Sequence, residues 1–351
     1  MFKMFFYLIM GLTFVYSCKE QNSKDIILKD FKTVSYLSKT ESPFRSLDIG
    51  EIVSMGIMDT VLVVSEFSGE KVFKLFSIEN GSLIQSSVNR GRGPNELDLS
   101  YNILELDEDN FVIFDRIRSE FIYLSLCDLL MGNEIFSQRE KHNYSVFNSI
   151  IINDSLRVFT GPFDSYQYLL TNISTGNSTF YQEYPDLGTL KSIQTATKAH
   201  GYQGHFTAIF GKNRFAFLSS LVGFFEICEI KDNEVIPVFR KSYGVPDLYV
   251  VQNRTALTPD LPYYFNSLSS TNEYVFTIYS GRTIREHGEE EYYAGNNLLV
   301  FDWNGNPVKR FVLDSYIRTF ALDKKNMRLY GYSMNSRTME PEIVVYELPE
   351  I

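Results

Sequence analysis

Asp59-Thr-Val-Leu-Val-Val64, Asp109-Asn-Phe-Val-Ile-Phe114 and Asp154-Ser-Leu-Arg-Val-Phe159 repeat one pattern: a short polar residue in a tight turn, then a strand of large apolar residues. The pattern returns as Asn213-Arg-Phe-Ala-Phe-Leu218 and Asn272-Glu-Tyr-Val-Phe-Thr277, and more loosely as Asn326-Met-Arg-Leu-Tyr330. Asp and Asn suit such turns because their side chains bond nearby backbone and tolerate left-handed geometry. Each occurrence is followed by a second strand pair with its own turn, as in Phe73 to Ile84 and Leu298 to Phe311. Two hairpins make one antiparallel sheet, and a period of roughly 45–60 residues suits a propeller blade with loops of varied length. The expectation is therefore an all-β chain, a six-bladed β-propeller with four-stranded antiparallel blades. The last unit, Tyr316 to Leu348, lacks a fourth strand. The apolar run from Ile26 to Leu37 is expected to supply it, so that an N-terminal strand joins the C-terminal blade and closes the ring. Closure removes the unpaired edges that an open array would expose.

Composition agrees with this class. The 351 residues are 44 % hydrophobic and 22 % charged, a globular balance rich in Phe (29) and Tyr (23). Aromatic residues favour pleated, half-buried surfaces, and this excess reads as repeated packing between blades. With 33 Lys+Arg against 43 Asp+Glu the formal charge is −10, which argues against nucleic acid as a partner, because phosphate recognition needs a concentrated basic surface. Three cysteines make no disulfide framework.

The N-terminus reads as an address. Lys3 precedes the apolar run Met4 to Met10, continued by Leu12, Phe14 and Val15, which is short for a membrane span. Val15-Tyr16-Ser17-Cys18 then resembles a bacterial lipobox, with a branched residue, a small residue and a cysteine. Residues 1–17 are thus expected to be a lipoprotein signal peptide, Cys18 the lipidation site, 18–25 a polar tether and 26–351 the propeller. An ordinary signal peptide with an incidental cysteine is the alternative. Lipidation would place the protein on the bacterial outer membrane, facing the periplasm or the cell surface, and the lipid would hold it to the membrane. Cys127 and Cys228 lie in apolar runs and are expected to be buried thiols.

Arg90-Gly91-Arg92-Gly93-Pro94-Asn95-Glu96-Leu97 and Val300-Phe-Asp-Trp-Asn-Gly-Asn-Pro-Val308 carry a family resemblance. The first is similar to the G-x-G-P-G-E-[FY] signature of the TolB-like six-bladed β-propeller lipoproteins of Bacteroidetes, with Asn95 for the usual Gly and Leu97 for Phe or Tyr. The second resembles that family's strand pair around Trp303. The resemblance spans residues 26–351 and implies a fold far more than an activity.

Several groups are candidates for chemistry. Gly91 and Gly93 could turn backbone amides towards an anion, with Arg90 and Arg92 adding charge; the alternative is a structural crossover in which Glu96 pairs with an arginine or caps amides. Gly331-Tyr-Ser333 lacks the closing glycine of a nucleophile elbow, and His200 and His205 lack a zinc-site context. No metal or cofactor is expected. Asp115, Asp164 and Glu226 are the acidic residues a glycosidase on this fold would need near its axis. Tyr202, Tyr249, Tyr263, Tyr264, Tyr292 and Tyr293 offer aromatic surface for sugar or peptide. The charged run Gly281 to Glu291, with Arg282, could cover one face. The expected function is a lipid-anchored binding module for an envelope peptide, protein or glycan, with Arg90, Arg92, Glu96, Asp115, Tyr202, His205 and Arg282 as candidate ligand residues. The alternative is a propeller-type carbohydrate hydrolase or lyase with acidic residues near the central channel.

Overall fold

The structure, a computed structural model, describes residues 24–44, 48–99, 101–133, 136, 138–185, 195–244, 248–251 and 254–351. Helix α1 (Lys24–Lys29) and strand β1 (Val34–Leu37) precede a run of antiparallel meanders. The first sheet is β2 (Ile52–Met58), β3 (Val61–Glu66), β4 (Lys71–Ser77) and β5 (Leu83–Asn89). The second is β6 (Ile103–Glu105), β7 (Asn110–Asp115), β8 (Glu120–Ser125) and β9 (Gln138–Lys141), with α2 (Leu126–Leu130) before its last strand. The third is β10 (Asn148–Ile151), β11 (Leu156–Phe163), β12 (Tyr166–Asn172) and β13 (Asn177–Glu183). After α3 (Thr195–Gly201) comes the fourth, β14 (Gly204–Ala208), β15 (Arg214–Ser219), β16 (Phe224–Lys231) and β17 (Glu234–Ser242). A hairpin, β18 (Leu248–Val251) and β19 (Arg254–Leu257), leads to β20 (Phe265–Ser270), β21 (Tyr274–Tyr279), α4 (Ile284–His287), β22 (Gly295–Asp302), β23 (Pro307–Asp323), β24 (Arg328–Met334) and β25 (Pro341–Glu347).

The expectation of six separate blades is corrected here. Among the described residues four sheets are discrete four-stranded blades, and everything from β20 onward forms one seven-stranded sheet, β20-β21-β22-β23-β24-β25 with β1 added on β23. The cause is the unbroken 17-residue strand β23, whose sequence has no glycine, and no proline after its first residue, to end it. Its first half pairs with β22 and its second half with β24. Tyr316, expected to open the last unit, instead continues the strand. The sheet folds back on itself across β23, so that Phe276, Leu298 and Phe311 share one apolar cluster with Leu322, Leu329 and Tyr346.

An N-terminal strand does join the C-terminal sheet. β1 pairs with β23 in parallel, Val34 opposite Arg310 and Leu37 opposite Leu313. Beyond it, the Thr40 amide donates to the Val345 carbonyl (2.8 Å) and Ser42 Oγ to the Ile343 carbonyl (2.6 Å), so the chain also lies along β25. The run at Ile26-Ile-Leu28 is helix, not strand. Its Ile27 is fully buried, and Phe31 meets Phe301 edge-on at 5.1 Å.

Successive sheets pack face to face through their middle strands, and aromatic pairs recur in equivalent places. Phe73 on β4 meets Phe111 on β7 (5.6 Å), Phe121 on β8 meets Phe159 on β11 (5.7 Å), and Tyr168 on β12 meets Phe215 on β15 (5.3 Å). Each pair joins the third strand of one blade to the second strand of the next. All six rings are buried, and such contacts take up part of the aromatic content. Cys228 is buried as expected, but Cys127 is exposed. Ser125 accepts the Asp128 amide and starts α2, which turns Cys127 off the strand it was expected to extend.

Candidate functional site

The inner strands β2, β6, β10, β14, β20 and the second half of β23 stand around a narrow axial channel. Its two sections measure about 100 and 80 Å³, well below the size of a small-molecule pocket. Their lining is mostly neutral and stitched strand to strand. Ser54 Oγ accepts the Ile103 amide (3.1 Å), Asn148 Nδ2 donates to the Gly204 carbonyl (2.7 Å), and the Ser267 and Thr319 hydroxyls share a hydrogen bond (2.7 Å). Glu105, the acidic residue of the lining, accepts from the Ile57 amide (3.0 Å) and from Lys324 Nζ (2.7 Å). His205 lines the channel on β14, and burial pushes its pKa down to about 4, so the ring is neutral.

The channel widens on the face where the inner strands begin. There a cleft of about 410 Å³ is framed by Phe67, Leu99, Phe114 and Phe147, with Arg116 at its side and Asn102, Asn148 and Ser149 at its base. The β3–β4 turn carries Phe67 out to 64 % exposure, and Leu99 is 42 % exposed, an uncommon state for apolar side chains grouped in one place. Ser149 Oγ is buried without a hydrogen-bond partner.

The residues singled out in the sequence fall into different environments. Arg90 is half-buried and donates to three carbonyls, those of Gly69 (2.9 Å), Glu66 (2.9 Å) and Asp98 (3.4 Å). Arg92 is almost fully exposed and reaches Asp98 at 3.6 Å. Glu96 folds over the glycines and accepts the Gly93 amide at 2.8 Å. Asp115 is fully buried, accepting from the Ile117 and Arg118 amides (2.9 and 3.0 Å), from Arg118 Nη1 (3.1 Å) and from the Tyr101 hydroxyl (3.2 Å). Tyr202 is 2 % exposed, its hydroxyl donated to the Pro185 carbonyl (2.7 Å). Arg282 lies over Tyr316 (4.4 Å), donates to the Glu291 carbonyl (3.0 Å) and meets His287 Nδ1 (2.7 Å) inside the charged loop.

The other candidates are likewise dispersed. Glu226 is fully buried between Tyr168 (2.6 Å) and Arg240 (2.6 Å), and Asp164 holds a left-handed turn position at φ 31°. Asp115 and Glu226 thus sit in separate blades with their own partners. His200 packs on Phe147 at 4.5 Å, away from the channel position of His205, and no cluster of metal-binding side chains occurs among the described residues. Tyr264 is buried, whereas Tyr263, Tyr292 and Tyr293 form one edge-on cluster with centroids 5.4 to 6.4 Å apart. The Tyr249 side chain and the lipobox, including Cys18, lie outside the described residues.

Residues 52–325 match the sequence model of a family described as TolB-like 6-blade propeller-like. The chain belongs to the TolB-like propeller family. In this TolB-like protein the division into sheets is nevertheless four discrete blades and one continuous sheet among the described residues, as set out above. No curated protein matches the chain. A member of the duf4221 family from Bacteroides vulgatus superposes at a TM-score of 0.51 and 12 % identity, covering 89 % of this chain and 94 % of that one. A protein described as exported, from Bacteroides fragilis, gives 0.51 at 9 % identity, covering 90 % and 99 %. At these identities the likeness speaks for the fold alone.

Phe67, Leu99, Phe147 and Arg116 were not singled out in the sequence. Arg116 directly follows Asp115 in the run Asp115-Arg-Ile-Arg118, so a signal existed in the two arginines spaced two apart on a blade turn. Phe67 and Phe147 are separated by 80 positions, and only the ring of sheets brings them together. No helix among the described residues is long and apolar enough to cross a membrane.

Proposed function

We propose that this TolB-like protein is a lipid-anchored envelope module that binds a peptide, protein or glycan at the cleft beside the channel mouth. The observation that carries the reading is the 410 Å³ cleft, whose exposed Phe67 and Leu99 stand over a base of polar side chains. Its size falls within the range of ligand pockets, and its apolar frame with few polar groups has the composition of one. The hydrolase alternative needs two acidic groups facing one space, and Asp115 and Glu226 each have a full set of partners in separate blades.

The test is binding of the mature protein to peptide and glycan arrays. A signal that disappears in Phe67→Ser supports the reading, and a signal unaffected by Phe67→Ser removes it. Anchoring is tested separately. Cys18→Ser should move the protein from the membrane fraction to the aqueous fraction, because the acyl chains supply the attachment. Unchanged fractionation would contradict it.

A further inference from the structure

The cleft carries one cation. Arg116 is exposed at its wall and makes no ion pair, hydrogen bond or ring contact among the described residues. The neighbouring arginines differ. Arg118, two positions on, is held by Asp115 (3.1 Å) and the Glu96 carbonyl (3.1 Å), and Arg90 is held by three carbonyls. Acidic groups outnumber basic ones in this chain, so a guanidinium left open beside an apolar surface is a specific feature of the cleft. A second, independent feature lies at the base: Ser149 Oγ, on a residue 1 % exposed, has no partner. A buried hydroxyl without a partner costs free energy.

We propose that the cleft recognises a peptide carboxylate set beside an apolar side chain. This rests on the reading of the cleft as the interaction surface. Arg116 would pair with the carboxylate through two parallel N–H···O bonds, a geometry the planar guanidinium provides and lysine does not. The apolar side chain would fill the space between Phe67, Leu99 and Phe147. A peptide fits better than a sugar because the cleft offers few polar partners. Those at its base are Asn102, Asn148 and Ser149, and the Asn148 amide nitrogen already donates to Gly204. A sugar's many hydroxyls would go unpaired there, whereas one carboxylate and one apolar group would not.

The carboxylate could be a chain terminus or an acidic side chain, and the experiment separates these. Three probes are titrated calorimetrically into the mature protein: acetyl-Ala-Leu-Phe with a free carboxyl end, its C-terminal amide, and acetyl-Ala-Asp-Phe amide. The proposal expects at least one acidic probe to bind about tenfold more tightly than the neutral amide, and Arg116→Gln to abolish that difference. Preference for the free carboxyl identifies a terminus, and preference for the Asp probe identifies a side chain. Equal affinity of all three, or discrimination that survives Arg116→Gln, overturns the proposal, as does absence of binding by every probe. The unfolding midpoint of Arg116→Gln should match the parent, since the side chain is exposed and unpaired. The array experiment stands apart: a Phe67-dependent glycan signal with no acidic-peptide preference would retain the interaction surface and reject this ligand class.

Discussion

Tyr168 on β12 donates a 2.6 Å hydrogen bond to the fully buried Glu226 on β16, across the boundary between the third and fourth discrete blades. Arg240 holds the other carboxylate oxygen at 2.6 Å, and Gln167 Nε2 donates back to the Tyr168 hydroxyl at 2.9 Å. Burial pushes the Glu226 carboxyl up, against the opposing pull of Arg240 and Tyr168. The chain here joins two blades by polar contact beside the apolar cluster they share, with Gln167 Oε1 left buried and unpaired.

Tyr168→Phe should therefore destabilise the protein by about 1–3 kcal/mol, because it leaves Glu226 and Gln167 without a shared hydroxyl in a buried site. Urea unfolding at neutral pH measures this. A midpoint unchanged from the parent would show that the network contributes nothing to the junction.

His205 sets a pH dependence of known sign. Its folded pKa is about 4, lowered by burial from an ordinary value of 6.5. Between those values the unfolded chain holds the proton and the native chain does not. The contribution of the neutral ring is thus complete above about 6.5 and is lost as pH falls towards 4. His142 is also lowered by burial and adds a slope of the same sign. His205→Gln should flatten, without abolishing, the fall in unfolding free energy between pH 6.5 and 4. An unchanged slope would mean that the ring is solvated.

Gly91 and Glu96 form a coupled pair. A methyl group at position 91 would collide with the Glu96 carboxylate, which accepts the Gly93 amide at 2.8 Å. Gly91→Ala should cost about 1–3 kcal/mol through loss of that charged hydrogen bond, and Glu96→Ala a similar amount. The double variant should cost less than the sum, since the collision and the bond vanish together. Strict additivity in a denaturation series would contradict this account of the glycine-rich crossover.

How far the sequence was legible can be seen at particular residues. The turns were readable because their anchors act locally, although the anchor often lies a few positions before the expected residue. Asp107 Oδ1 accepts the Asp109 and Asn110 amides (2.8 Å each), and Asp323 Oδ1 accepts those of Lys325 and Asn326 (3.0 and 2.9 Å). The merging of sheets at β23 was not readable, because continuity depends on what each half of the strand pairs with, and Asp314-Ser-Tyr316 resembles a turn by composition. Cys127 leaves the strand for a local reason, since the cap at Ser125 competes with strand extension over two residues. The cleft was the least legible feature. Its walls come from turns and inner strands of three blades, and nothing in the spacing of Phe67, Arg116 and Phe147 marks them as neighbours.

Hydrogen exchange with and without the ligand found on the arrays tests the interaction surface most directly. The account predicts slowed exchange in residues 101–104 and 147–149, which line the cleft at the channel mouth. The opposite face carries its own space of about 820 Å³, lined by Thr271, Tyr274, Met327 and Leu348. Protection confined to residues 271–274 and 348–351, with none at the channel mouth, would contradict the central claim.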